Sequence, residues 1–318
     1  MVLPYKGNAR FPGPVGMTTH PLSGRVPSTL GFREVSSPIK SSTKSSKTLA
    51  MPEPWSSSTI IRVGVLDWKL AKGMPVTTDV EQGDLAVCPV AAVLAALTHT
   101  DVGQKFVDGL ITEYRGPLVK TALSNDLMVK IVKPDEDPDD KPQVKELTSN
   151  RYFEVKLGTS TIEVHDTFYV RYTDGPNLAP VYMTSPNGVL WPSVIEKACA
   201  IHFHGYNELG NFKKHTANEL WKLIVGIDPQ GGFEVKDSTS DDTLRDAARN
   251  APKIPTIAAS KDKVVITLTP LHGYAVLGLQ GKNIELYDPA KAKTISLSPD
   301  EFRSNFQVVL SGNPPLFN

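Results

Sequence analysis

Gln82-Gly83-Asp84-Leu85-Ala86-Val87-Cys88 leads directly into Pro89-Val90-Ala91-Ala92-Val93-Leu94-Ala95-Ala96-Leu97. The second half is an apolar run of helical length, and Pro89 suits a first helical turn, where its missing N–H is not needed. The stretch therefore predicts a mostly buried helix over 88–98 that opens at a cysteine, with a glutamine amide six residues upstream. Backbone N–H groups at a helix start favour a thiolate, and a nearby imidazole would favour it further by forming an ion pair. A free cysteine in such a helix also reads as a small buried hydrophobe, and Gln-Gly as a turn that merely starts the helix. The stretch alone leaves both readings open.

Two later segments supply partners of suitable chemistry. His272 stands just before the strand-like Tyr274-Ala275-Val276-Leu277, and its neutral ring can accept a thiol proton and later return it to a departing amine. Asp288 closes the next strand-like run, Ile284-Glu285-Leu286-Tyr287, and Gly281 between the runs supports a hairpin turn. Such a hairpin offers a carboxylate a route to the histidine ring, where it would hold the tautomer and stabilise the positive form. Asn283 and Glu285 compete for that role, and Asp288-Pro289 is also an ordinary turn dipeptide. With the Gln82 amide and the Cys88 N–H as oxyanion donors, these residues are the parts of a thiol hydrolase. His165, His202 and His204 are weaker candidates for the base. His202-x-His204 and His215 do not form His-Glu-x-x-His, no compact Cys/His group completes a zinc shell, and no Gly-x-Gly-x-x-Gly or Walker A pattern points to a nucleotide.

The chain has 318 residues, 40% of them hydrophobic, enough for one large core or two lobes sharing a cleft. Basic and acidic residues number 34 each, so no net field favours nucleic acid or an anionic membrane. No run approaches the roughly 18 apolar residues of a membrane span, and the N-terminus lacks the apolar region of a secretory signal. Two cysteines, Cys88 and Cys199, are too few for a disulfide scaffold or an all-thiolate metal site. A cytoplasmic or other reducing compartment is the expectation, with leaderless export as an effector the alternative.

Residues 1–57 are rich in Pro, Gly, Ser and Thr and read as a flexible segment, suited to docking a partner or to export. Residues 58–318 read as an α+β catalytic domain. A helical lobe holds the cysteine over about 58–150, a sheet-rich lobe holds the histidine over about 151–318, and a helical insertion or interface lies near 191–225. Within it the pattern predicts a strand near 60–63, a polar helical segment around 100–113, an exposed acidic loop at 134–142 and strands between 152 and 183. It predicts helices at 191–202 and 217–224, a turn at Gln230-Gly231-Gly232, and strands at 263–268, 274–277 and 284–287.

These blocks, in this order, resemble the catalytic core of calpain-family, papain-like cysteine proteases. Gln82 to Cys88 is similar to that family's Gln-Gly-x-Leu-Gly-Asp-Cys. Leu190-Trp191-Pro192-Ser193-Val194-Ile195-Glu196-Lys197-Ala198 is similar to its Leu-Trp-Pro/Ser-x-Leu-x-Glu-Lys-Ala. His272-Gly273-Tyr274-Ala275-Val276 corresponds to His-Ala-Tyr-Ser-Val, Tyr287-Asp288-Pro289 to Arg-Asn-Pro, and Asp300-Glu301-Phe302-Arg303-Ser304-Asn305-Phe306 to the end of such cores. The resemblance implies a papain-like two-lobed fold of calpain type and a cysteine endopeptidase acting on protein or peptide substrates through an acyl-enzyme. Gln82 would stabilise the oxyanion, Cys88 attack, His272 do the acid/base work and Asp288 fill the usual asparagine position. No cofactor is implied for the chemistry. Calcium regulates classical calpains, but acidic ligands for it are not assignable here.

The departures bear on function. Pro89 replaces the aromatic residue after the cysteine, Ala86-Val87 replaces Gly-Asp, and Asn-Pro-Trp-Gly becomes Asp288-Pro289-Ala290-Lys291. An anion at 288 favours imidazolium and so weakens the ring as a free base. The same acyl-enzyme would also serve a transamidase or a deamidase. A catalytically inactive calpain-like binding or structural module would keep the helix and strands with the reacting groups apart.

Overall fold

A computed structural model describes residues 40–41, 49–50, 62–66, 68–83, 87–122, 148–172, 178–210 and 216–315. The acidic 134–142 segment, and 1–57 apart from two short strands, lie outside the described residues. In chain order come β1 (Lys40–Ser41), β2 (Leu49–Ala50), β3 (Arg62–Val65), a 3-10 turn at Thr77–Asp79, α1 (Cys88–Leu97) and α2 (Asp101–Leu110). Then follow β4 (Ile111–Ala122), β5 (Thr148–Leu157), β6 (Ser160–His165), β7 (Thr167–Tyr172) and β8 (Leu178–Pro180). Helices α3 (Trp191–His202), α4 (Tyr206–Leu209) and α5 (Ala217–Val225) precede β9 (Gly231–Glu234) and α6 (Asp241–Asn250). The last elements are β10 (Thr256–Ser260), β11 (Gly273–Gln280), β12 (Asn283–Asp288), β13 (Lys293–Leu297), α7 (Pro299–Asn305) and β14 (Phe306–Ser311).

The class is mixed α+β. One sheet runs β1-β4-β5-β6 with β2 also on β4, a second is β3-β7-β8, and the third is a six-stranded antiparallel sheet in the order β13-β12-β11-β10-β14-β9. Residue 150, where the sequence reading divides a helical from a sheet-rich lobe, falls inside β5, which pairs with β4.

Helix α1 is buried at every position except Pro89. A helix apolar all round has to be covered all round, and α1 accordingly packs against α2, α3, α5, the 3-10 turn and strands β10, β11 and β12. The corner into α2 needs glycine: a Cβ on Gly103 would lie 2.0 Å from Leu97 O. Thr100 caps α2 by accepting from Gly103 N at 3.0 Å. Helix α5 opens on a reciprocal Thr216/Glu219 capping box and stops at Gly226, whose φ is +86°.

The central strands of the six-stranded sheet are covered on both faces, and their alternation sorts residues between two apolar clusters. Ile257, Ala275, Tyr287 and Leu310 join the cluster built around α1, α2, α3 and α5. Ala258, Tyr274, Val276, Leu286 and Val309 join the other, with Leu244 and Ala248 of α6 and Phe302 of α7.

Two local expectations are corrected. Residues 263–268 are β-rich but form no strand, because the place beside β11 is taken by β10, with Ile257 opposite Ala275. The chain leaves the sheet after Ser260, Val265 is 76% exposed, and its N–H donates to Asn305 Oδ1 at 2.7 Å. Gly231 and Gly232 open strand β9 rather than forming a turn. A Cβ on Gly232 would lie 2.5 Å from Val309 O, so glycine lets this edge strand reach β14. Among the described residues, no helix is long and apolar enough to cross a membrane.

Candidate active site

Cys88 occupies the first turn of α1 and is 3% exposed. Its Sγ donates to Leu271 O at 3.8 Å. Leu271 has φ +50°, a backbone state that costs an L-residue energy, and it delivers the chain to His272 and the start of β11. Helix and strand meet closely here: a Cβ on Gly273 would lie 3.0 Å from Cys88 O and 3.1 Å from Ala92 Cβ.

The helix start alone does not set the state of the Cys88 thiol. Burial pushes the Cys88 thiol up to about 12, outweighing the backbone N–H groups of Gly273 and Cys88 that act to lower it, while the negative charge of Asp288 raises it further. Desolvation defeats the helix terminus because this cysteine is enclosed rather than set at an open mouth. The resting group is a neutral thiol bonded to a carbonyl.

His272 is held from behind by Ser260. Its N–H donates to Ser260 Oγ at 2.9 Å, and its carbonyl accepts from Ser260 N at 2.9 Å. The ring packs edge-on to Tyr274, with centroids 4.7 Å apart, and Nε2 lies 3.1 Å from Asp288 Oδ1. The β11–β12 register explains the meeting. Ala275 opposes Tyr287, so the next residue of β12 arrives beside the start of β11. Asn283 opposes Gln280 at the far end of the hairpin, and Glu285 opposes Gly278, which leaves Asp288 as the acid that reaches the ring.

Asp288 is 1% exposed. Its Oδ1 also accepts from Ala290 N at 3.0 Å, and Oδ2 is 3.4 Å from Lys291 Nζ. Burial acts to raise its carboxyl, but the hydrogen bond and charge of His272, the charge of Lys291 and the Ala290 N–H together hold it below the usual aspartate range.

Gln82 is buried, and its backbone N–H donates to Pro289 O at 2.9 Å, one residue from Asp288. Before it, Glu81 and Thr184 exchange backbone hydrogen bonds of 3.0 and 2.8 Å, and Tyr287 Oη donates to Val80 O at 2.9 Å. After it, Gly83 has φ +69°, and a Cβ there would fall 2.0 Å from Tyr182 O. The opposing 182–184 segment is itself held by α3: Glu196 Oε2 accepts from Met183 N at 2.8 Å, and Ser193 Oγ donates to Met183 O at 2.6 Å. Asp79 ties the preceding turn to the same helix by accepting from Trp191 Nε1 at 2.9 Å, and to the segment before it by accepting from Asn187 Nδ2 at 2.8 Å.

The contacts are the Gln82 backbone N–H on Pro289 O, Asp288 on the His272 ring, and Cys88 on the residues flanking His272. The hydrogen bond from Cys88 goes to Leu271 O rather than to the ring. Residues 84–86 and His215 lie outside the described residues. His165 is buried elsewhere, 3.7 Å from Asp166. Sequence reasoning missed Lys291, the Tyr287 hydroxyl and the support Glu196 gives to Met183. Of these, only Lys291 left a local signal, three residues after Asp288 in a proline turn. Among the described residues, no group of three or more His, Cys, Asp or Glu side chains is arranged to hold a metal ion. Comparison with models of known protein families and with curated protein sequences finds no match to this chain.

Proposed function

We propose that the chain is a cysteine endopeptidase with a papain-like, two-lobed core of calpain type. The observation that carries the reading is the placement of Cys88, at the head of a buried helix, against the residues flanking His272, whose Nε2 is held by a buried carboxylate. In the proposed reaction His272 accepts the thiol proton as Sγ attacks the peptide carbonyl. The Gln82 amide and the Cys88 N–H receive the developing oxyanion; a well-placed donor of this kind contributes about 3 to 4 kcal/mol. The imidazolium then gives its proton to the departing amine, and water attacks the acyl-enzyme with His272 as base, releasing the acid and the free thiol. Burial favours the protonated thiol, so transfer of its proton to His272 is a required part of the attack.

A second reading, a calpain-like module without catalysis, draws on the hydrogen bond of Cys88 to Leu271 O and on the burial of the thiol. The two separate when wild type, Cys88→Ala and His272→Ala are incubated with a diverse peptide library, with and without calcium, and new N-termini, ammonia and ligated products are read by mass spectrometry. Cleavage by wild type and by neither variant is the expected result. Wild-type turnover by Cys88→Ala sinks the mechanism, and ammonia release with an intact backbone makes the enzyme a deamidase.

A further inference from the structure

A carboxylate bonded to a catalytic imidazole orients it but also draws a proton onto it, which is a cost for a ring that has to act as a base. In this chain the carboxylate has a second partner. Asp288-Pro289-Ala290-Lys291 is a tight turn, with Lys291 N donating to Asp288 O at 3.2 Å and Ala290 N to Asp288 Oδ1 at 3.0 Å. Proline presets the second position of such a turn, and an aspartate at the first bonds the backbone two residues on. The turn brings the first and fourth side chains together, and Nζ of Lys291 stands 3.4 Å from Oδ2, the oxygen that His272 does not use.

Among the described residues, the other titratable side chains packed close to Asp288 are a thiol, phenols and acids. Cys88 of α1, Tyr274 of β11 and Tyr287 of β12 are all raised by burial first, and each is raised further by the Asp288 charge. Glu81 and Asp79, on the segment packed against Tyr287, are acidic. Lys293 opposes Asp288 in β13 but is exposed, and no ion pair joins the two among the described residues.

We propose that Lys291 is a positioning residue that offsets part of the charge of Asp288 while the carboxylate aligns the His272 ring through Oδ1. Its consequence for turnover rests on the endopeptidase reading; the charge balance itself does not. Lys291 is 40% exposed, so solvent screens the pair and the effect is of modest size, about half a pH unit or threefold in an equilibrium.

The test compares full-length wild type with Lys291→Met, Lys291→Arg, Asp288→Asn and the Asp288→Asn/Lys291→Met double variant. The first readout is the side-chain carboxyl carbon of Asp288, followed by NMR as pH is varied; the second is the pH profile of peptide turnover. Lys291→Met is expected to move the Asp288 titration upward by about half a unit and the acid-side midpoint of turnover upward by a similar amount, while Lys291→Arg keeps both in place. In the Asp288→Asn background, adding Lys291→Met is expected to leave the turnover profile where it was. An Asp288 titration that does not move in Lys291→Met overturns the charge balance. A titration that moves while the turnover profile does not overturns the positioning role. Absence of turnover in wild type removes the endopeptidase reading and leaves the carboxyl titration to decide the charge balance alone.

Discussion

Asp288 is a buried carboxylate that stays ionised because three kinds of partner, the His272 ring, a lysine and a backbone N–H, outweigh its desolvation. Its folded value lies below its unfolded value. The stability it contributes is therefore complete above the ordinary aspartate range near pH 4 and is lost as pH falls below that range. Asp288→Asn cannot lose a charge, so its urea midpoint is expected to change less between pH 5 and pH 3 than that of wild type; equal slopes would mean that the carboxylate is not linked to folding. That Asp288 sits near His272 was legible because a hairpin glycine and a following proline bracket the second strand. The protonation of Cys88 was not, since it depends on how much of the molecule closes over the thiol, and nothing in 82–97 encodes that.

Helix α3 supports the site at the scale of elements. Burial, working against the Met183 N–H that lowers it, pushes the Glu196 carboxyl well up, and its Oε2 accepts from Met183 N. Glu196→Gln keeps an acceptor of the same shape and is expected to unfold close to wild type in a denaturant titration at pH 7. Glu196→Ala strands a buried N–H and is expected to cost about 1 to 3 kcal/mol; equal stability of the two variants would contradict this account. The extent of α3 was legible because Val194, Ala198 and Ile201 keep a helical period behind Pro192. The window 263–268 misled because propensity is local, whereas the vacancy beside β11 is decided by which strand pairs there, and Thr256–Ser260 holds it.

Across the described 62–315 region, α1 binds the parts into one unit. It lies against three strands of the six-stranded sheet and against α2, α3 and α5, so removing its packing loosens both sides together. Leu94, fully buried in that helix, is expected on truncation to alanine to lower stability by about 2 to 5 kcal/mol. Circular dichroism and calorimetry should then give one coincident, lowered transition. Two transitions of which only one moves would show that the helix side and the sheet side unfold independently. The α+β class could be read from the alternation of patterns along the chain; the order of strands could not, because partners in the large sheet come from distant segments. That order has a consequence for biosynthesis. β14 lies between β10 and β9 rather than at an edge, so a ribosome that has extruded everything through Asp288 has made all four candidate residues but not the complete sheet that carries Asp288 and that His272 leads into. Until Phe306–Ser311 arrives, β10 and β9 each lack a neighbour, and the nascent chain holds the four candidate residues without the frame to align them.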